Sequence, residues 1–478
     1  MQIALNGPAY RLPQLQQSCQ RCVNLMLQVA EKPSKSASML IPTPGLALRQ
    51  TLPVGPTRGA IVSGGSLWVV SGRNVYRLNA TYAATYIGQI QSESGPVALA
   101  ANGPQILIVD GVTGYILTVA TSALTQITDP AFPLGVTSAT FIDQYFVVTG
   151  NDTGQFWWSD LGDGSSWNGL DFASAEGAPD NAVAVVADHR ELWVFGENTI
   201  EVFAATENGF ERLAAAVIEE GVAAVASVGR VASAILWLGQ SENGGGVVWA
   251  AHGFQPQRVS THAIENAIAE YPRIDDAVAW TYSDRGHDFY AIHFPSGDAT
   301  WVYDVAVGEW HERAWRDPVT GLLHRHRGAW HVYYGRDHVV GDWEDGRVYV
   351  LSHEATDDAG DLILHLRSTQ AAADTDSYGV MLWGRMQVDV VSGVGTATGQ
   401  GRDPQLMMRY SDTGGHRWSN RRSAPIGRTG EYWARCKFER CFPGGSADGR
   451  SRVWEVSWTD PVITALIGAA AFVDRGGV

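Results

Sequence analysis

Alternation of apolar and polar residues with a period of two dominates the chain, which marks strands rather than helices. Runs rich in aromatic and β-branched residues recur at 66–78, 105–119, 144–158, 191–203, 235–249, 287–303 and 331–351. Most hold a turn between two alternating segments, such as Ser71-Gly72-Arg73-Asn74, Asp110-Gly111 or Pro295-Ser296-Gly297-Asp298, and so read as β-hairpins. A hairpin cannot bury its apolar face alone. Seven of them, 39 to 52 residues apart, predict a β-propeller of six or seven blades, the uncertainty being whether one hairpin belongs to a linker.

Helix is scarce. Ser260 to Tyr271 is the best candidate, because Ile264, Ala267, Ile268 and Tyr271 keep the i, i+3, i+4, i+7 spacing behind a Ser or Thr cap. The stretch 212–226, rich in Ala and Val, reads as helix or strand. The hairpin rhythm stops near 357–376, where Ala371-Ala372-Ala373-Asp374-Thr375-Asp376-Ser377 leads into new alternating runs at 380–391, 405–410, 432–438 and 453–458. The expected class is therefore all-β with little helix: a propeller over 46–365 and a C-terminal β-sandwich-like assembly domain over 366–478. Residues 1–45 lack the repeat and are expected to pack on the C-terminal domain or on a neighbouring subunit.

Composition adds exclusions. The chain has 478 residues, 45% hydrophobic and only 18% charged, with 53 Gly and 18 Trp, which rules out collagen, coiled coil and disorder. The longest nearly uncharged apolar run, 462–473, has 12 residues, too few for a membrane-spanning helix. Residues 2–12 have neither the basic start nor the apolar stretch of a signal peptide. A soluble protein folded in a cytosol is expected.

The net charge of −16 disfavours broad nucleic-acid affinity. Its distribution is uneven, since 402–452 holds ten Arg and Lys437 against five carboxylates, a local balance of +6 on a body of −22. That module reads either as a solvated surface or as a docking face for an acidic neighbour or another copy of the chain.

Candidate chemistry is thin. Cys19 and Cys22 form C-x-x-C, and Cys436 and Cys441 form C-x4-C; together they would make a zinc site only if the ends of the chain met, and otherwise read as free buried thiols. Asp342, Glu344 and Asp345 beside Trp343, or Asp288 near His293, offer carboxylates for glycoside hydrolysis, yet such residues more often fill blade cores and cap turns. His311, His324, His326 and His331 cluster, and strand alternation would put His324 and His326 on one face. Asn243-Gly244-Gly245-Gly246 lacks a following Lys and reads as a hairpin turn, not a phosphate loop. Ser411-Asp412-Thr413-Gly414-Gly415-His416-Arg417-Trp418 resembles the Asp-box turn of sialidase-type propellers, with Thr413 where that turn has Asp. No catalytic, cofactor-binding or metal-ligating residue is assigned, no cofactor is expected, and the protein is read as not an enzyme.

Longer segments carry a resemblance. Arg258-Val259-Ser260-Thr261-His262-Ala263-Ile264-Glu265, Gly286-His287-Asp288-Phe289-Tyr290 with Thr300-Trp301-Val302-Tyr303-Asp304, and Trp310-His311-Glu312-Arg313 look like the packaged-DNA stabilization family of short-tailed phages. Cys22-Val23-Asn24-Leu25, Leu236-Trp237-Leu238-Gly239, the 410–420 segment, Gly430-Glu431-Tyr432 and Asp460-Pro461-Val462 extend the likeness along the chain. The resemblance implies a podovirus virion protein of the tail, made and assembled in the bacterial host cytoplasm. It implies a homohexameric hub or nozzle ring below the portal and adaptor, which extends the DNA exit channel and retains packaged DNA until ejection. Tail fibres or tailspikes and a tail needle or plug are expected neighbours, and DNA would pass without sequence-specific binding. The alternatives are a propeller that binds or hydrolyses glycans and a propeller interaction scaffold.

Overall fold

The computed structural model describes residues 1–150, 153–175, 180–206, 209–240, 245–373, 379–442 and 451–475. Seven four-stranded antiparallel blades follow one another along the chain, five as separate sheets and the last two as parts of a ten-stranded and a six-stranded sheet. Blades 1 to 6 span 57–89, 98–126, 139–174, 182–218, 229–258 and 278–312. Blade 7 takes three strands from 328–352, and its fourth is Gly45–Thr51, paired with Arg347–Ser352. Six of the seven predicted runs each supply two adjacent strands of one blade and 331–351 supplies three, so none belongs to a linker. The ambiguous 212–226 stretch is strand to Ile218, followed by a short 3₁₀ turn at Val225–Ser227.

Alternation explains why the blades form a ring. In Ser66–Ser71, Leu67 and Val69 pack with Trp330, Val339 and Val348 of blade 7, while Trp68 and Val70 pack with Ile106, Ile108 and Leu117 of blade 2. Each sheet is thus buried on both faces, as a propeller requires. Between blades 6 and 7 the core holds Trp280, Tyr282, Phe289, Val340 and Tyr349 together with Leu46 of the closing strand. The expected helix is His262–Ala269, capped by the Thr261 side chain, and it buries Ile264 and Ile268 beside blade 5.

While Tyr10–Arg11 with Cys19–Gln20 and Ala314–Arg316 with Leu323–Arg325 make separate two-stranded ribbons and Asp357–Asp358 with Asp361–Leu362 extends the blade 7 sheet, most of the remaining strands form two facing sheets. One has the order Cys436–Glu439, Met381–Val390, Leu466–Arg475, Ser38–Pro42, Leu25–Val29, with Gln2–Ile3 added to Leu466–Arg475. The other runs Cys22–Val23, His365–Ser368, Ser451–Trp458, Gln405–Ser411, Arg422–Pro425, and Val23 joins it to blade 6 through Glu312. Trp383, Met386, Leu406, Trp454, Trp458 and Leu466 fill the space between them. Strands Arg422–Pro425 and Leu466–Arg475 had no counterpart among the expected runs. The second was hidden because both its faces are apolar, which erases alternation.

Candidate functional site

A cavity of ≈ 730 Å³ opens at the end of the propeller where the inner strands begin, beside Thr57, Ala98, Ser138, Val278 and Ala329. Its charged groups differ in how they are satisfied. Arg58 is buried and spends its guanidinium on the carbonyls of Gly72, Ser92, Ser94 and Gly95 and the Ser92 hydroxyl. Asp110 accepts from the backbone N–H groups of Gln91, Ser92, Val112 and Thr113. Arg273 and Asp275 pair with each other at 2.6 Å. Asp276 Oδ2 accepts from the Ser296 N–H and hydroxyl at 2.9 and 2.6 Å, while its buried Oδ1 has no partner.

A stack of guanidinium and indole planes leads into this mouth. Arg327 lies 3.8 Å from the centre of the Trp315 ring and 5.6 Å from that of Trp343, and Arg325 lies 3.9 Å from Trp343. Arg327 is paired with Glu344 and lies 3.5 Å from Asp342. Arg325 ends the stack and lines the cavity, its backbone N–H donates to Asp298, and its side chain makes no hydrogen bond or ion pair among the described residues. The sequence signal is the pair Arg325 and Arg327 on either side of His326, whose guanidinium groups both reach the Trp343 ring.

The histidines do not share a site. The strand Leu323–Arg325 ends before His326, so His326 turns inward against Trp280 and His293, while His324 stays near the surface, 2.7 Å from Asp298. Burial, followed by the positive charges of Arg313 and Arg327, pushes His326 down to about 3. Burial, then His338, does the same to His331. His311 is held well below its ordinary range by burial and then by Arg313. Among the described residues no three His, Cys, Asp or Glu side chains gather as a metal site would need.

The carboxylate candidates are likewise occupied. Asp342 is fully buried and accepts from the Tyr349 hydroxyl at 2.6 Å and the Glu344 N–H at 2.7 Å, with burial the main force raising its pKa. Asp345 pairs with Arg347 at 2.7 Å. Asp288 bonds Ser283, and His293, five residues along the same strand and so on its other face, bonds Thr300 at 2.9 Å. None of these carboxylates lines the cavity at the propeller mouth. All four cysteines are buried and free, and burial raises the Cys22 thiol to about 11 and the Cys436 thiol to about 12. Asn243 and Gly244 of the glycine triplet lie outside the described residues, as do Asp374 to Ser377 of the polar stretch.

In the turn at 411–418, hydroxyls replace the carboxylate. Ser411 Oγ accepts from the Gly415 N–H and Thr413 Oγ1 from the Arg417 N–H, both at 2.8 Å. Asp412 itself pairs with buried Arg452, whose guanidinium lies 3.7 Å from the Tyr410 ring centre. Within the basic module, Arg409 and Arg428 also have carboxylate partners. Arg402, Arg417, Arg421, Arg435 and Arg440 are exposed, in the same sandwich as exposed Tyr432, Trp433 and Phe442. Arg450 and Asp448 fall outside the described residues.

Among solved structures the chain is similar to the N-terminal domain of Nup159 (11% identity, 70% of this chain and 99% of that one, TM-score 0.43). It is also similar to the WD40 β-propeller of Doa1 (11%, 65% and 97%, TM-score 0.41). The extracellular domain of BT4673 from B. thetaiotaomicron is another (8%, 65% and 40%, TM-score 0.44), and this chain spans only two fifths of its length. No curated protein matches. The family model described as Bacteriophage P22 Gp10, beta-propeller matches residues 1–356, so the C-terminal pieces of the resemblance lie beyond the matched part. With three quarters of its length matched in this way, the chain belongs to the phage packaged-DNA stabilization family, β-propeller structural proteins of phage virions.

Proposed function

We propose that this protein is the hub or nozzle subunit of a short phage tail, assembled as a ring of six copies below the portal and adaptor. The ring extends the DNA exit channel and holds packaged DNA until ejection. The match to the family model over 1–356 carries this reading. Its role is passive rather than enzymatic, in keeping with a family of structural virion proteins. Opposite charges favour contact between copies, because a +6 stretch in the sandwich belongs to a chain whose remainder carries −22. A head-to-tail contact of that kind closes a ring when its rotation divides the circle. The excess of acids suits a conduit that DNA slides through without adhering. Tailspikes or fibres and a needle are the expected neighbours.

Single-particle imaging of the purified chain, alone and mixed with detached portal-adaptor particles, tests the proposal. A ring docked on the adaptor around an axial channel is expected. Copies that stay single and ignore the adaptor would overturn it.

A further inference from the structure

We propose that the outer edge of blade 3 docks on the basic edge of the sandwich in a second copy of this chain. Residues 78–189 contain eleven carboxylates and no Lys or Arg. This stretch, which holds blades 2 and 3, supplies half of the −22 outside the basic module. Blade 3 ends in Asp163–Ser174, an outer strand whose register jumps from the pair Ser159 and Trp167 to the pair Trp157 and Phe172. Residues 168–171 therefore bulge out of the strand, and Leu170 in this bulge is 82% exposed. The bulge is anchored, since the Trp167 N–H donates to Asp129 at 3.0 Å, the Leu170 N–H donates to Asn168 Oδ1 at 3.1 Å, and Trp167 packs 5.0 Å from Phe132. An apolar side chain held out in water by a fixed backbone can be buried with little further loss of freedom. Around it the carboxylates of Asp160, Asp163 and Asp171 accept from Ser166, from Gln105 and Ser165, and from Asn168, and among the described residues none has a cation.

The complement lies on the sandwich. Strands Arg422–Pro425 and Cys436–Glu439 run side by side, because Arg422 donates to the carbonyls of Glu439 and Arg440 at 2.7 and 3.0 Å and the Cys436 thiol donates to that of Pro425 at 3.4 Å. This places Arg421 and Arg440 at one end of a ridge and Arg435 at the other. All three are exposed, and among the described residues none has a carboxylate partner. Trp433, 78% exposed, and Phe442, 57% exposed, give the same ridge the apolar surface that Leu170 needs. The two faces do not meet within one copy. The sandwich joins the propeller at blade 6 through Val23 and Glu312, whereas blade 3 lies across the ring, beyond blades 4 and 5 on one side and blades 7, 1 and 2 on the other. Contact between them is therefore head-to-tail and needs two copies. A nucleic acid or an anionic membrane would be repelled by the blade 3 carboxylates. The inference rests on the hub reading for the ring that repeated contacts would close.

The test uses the purified full chain and two double variants, Asp160→Lys with Asp171→Lys and Arg435→Glu with Arg440→Glu. Each alone is expected to weaken self-association at least ~10-fold in sedimentation across a dilution series, as like charges then face each other. Mixing the two should restore association, because each offers the charge that the other has lost. A second measurement does not depend on how the charge variants fold. Copies carrying Leu170→Cys, mixed with copies carrying Trp433→Cys, should be joined by a short bismaleimide that joins neither alone, the four native cysteines being buried. Charge variants that associate as tightly as the parent, or a mixture of cysteine variants that gives no cross-link, would overturn the inference. A ring imaged on the adaptor in that case leaves the hub reading standing. Restored association that yields open chains of copies and never a ring on the adaptor upholds this contact and overturns the hub reading instead. A parent that stays single at every concentration, alone and with the adaptor, overturns both.

Discussion

Among the described residues three arginines are no more than 1% exposed, and each is satisfied differently. Arg452 has Asp412 and the Tyr410 ring. Arg367 has no carboxylate and donates instead to the carbonyls of Leu5 and Pro8 at 2.7 and 2.6 Å and to Gln20 Oε1 at 2.9 Å. Arg313 lies 5.3 Å from the ring centres of both Tyr282 and Phe289. Replacing Arg452 by Met leaves Asp412 charged and nearly enclosed, so urea unfolding should find a loss of roughly 3–5 kcal/mol, with much of it regained in Arg452→Met, Asp412→Asn. Such burial was not legible in the sequence. Arg452 sits in a stretch that reads as basic surface, and the partners of Arg367 lie some 350 residues before it, so composition gave no hint of either enclosure. Titration follows the same geometry. His326 and His331 are held near about 3 and His365 near about 4, against an ordinary 6.5, with burial first among the causes. Their folded pKa values lie below the unfolded ones, so the unfolded chain takes up protons first. Their contribution is complete above about pH 6.5 and lost as pH falls toward 4. His326→Asn should flatten this acid limb in melting curves recorded from pH 7 to pH 4.

At the level of elements, the seven hairpins were legible because each carries its own turn and its own alternation. The strand that completes blade 7 was not, since Gly45–Thr51 finds its partner about 300 residues later. A Cβ on Gly45 would come within 2.6 Å of the carbonyl oxygens of Ala355 and Asp357, both backbone atoms. Gly45→Val should therefore unseat this strand and cost about 1–3 kcal/mol or more in denaturant unfolding. Asp358 lies beside the same strand, paired in register with Leu46. Burial pushes its carboxyl up to about 7. A raised folded pKa gives stability that is present below the ordinary value of 3.8 and is lost as pH rises through 7, the opposite slope to the histidines. Asp358→Asn should therefore gain on the parent as pH rises, by roughly 2–4 kcal/mol more at pH 8 than at pH 4, as read from melting at the two pH values. The mouth was the least legible element. Its walls come from the first residues of several inner strands, brought together only by ring closure.

For the whole molecule, charge asymmetry sets the expectation for assembly. Reversing Arg421, Arg435 and Arg440 to Glu should leave melting of the isolated chain nearly unchanged, because these side chains are exposed. Contact between copies or with the adaptor should weaken, most visibly in low salt, as light scattering or imaging of rings would detect.

The late partner of Gly45–Thr51 has a further consequence, for synthesis. This strand leaves the ribosome early but cannot pair until Arg347–Ser352 exists, and at roughly 5–20 residues per second the wait is on the order of 15–60 s. During that interval six blades can fold in turn while Leu46 and Leu48 wait on an unpaired edge. On crowded polysomes the same edge can be completed by the seventh blade of a neighbouring nascent chain. Synthesis rate, more than stability, then decides how many copies emerge as single closed rings of blades and how many emerge tied to a sibling.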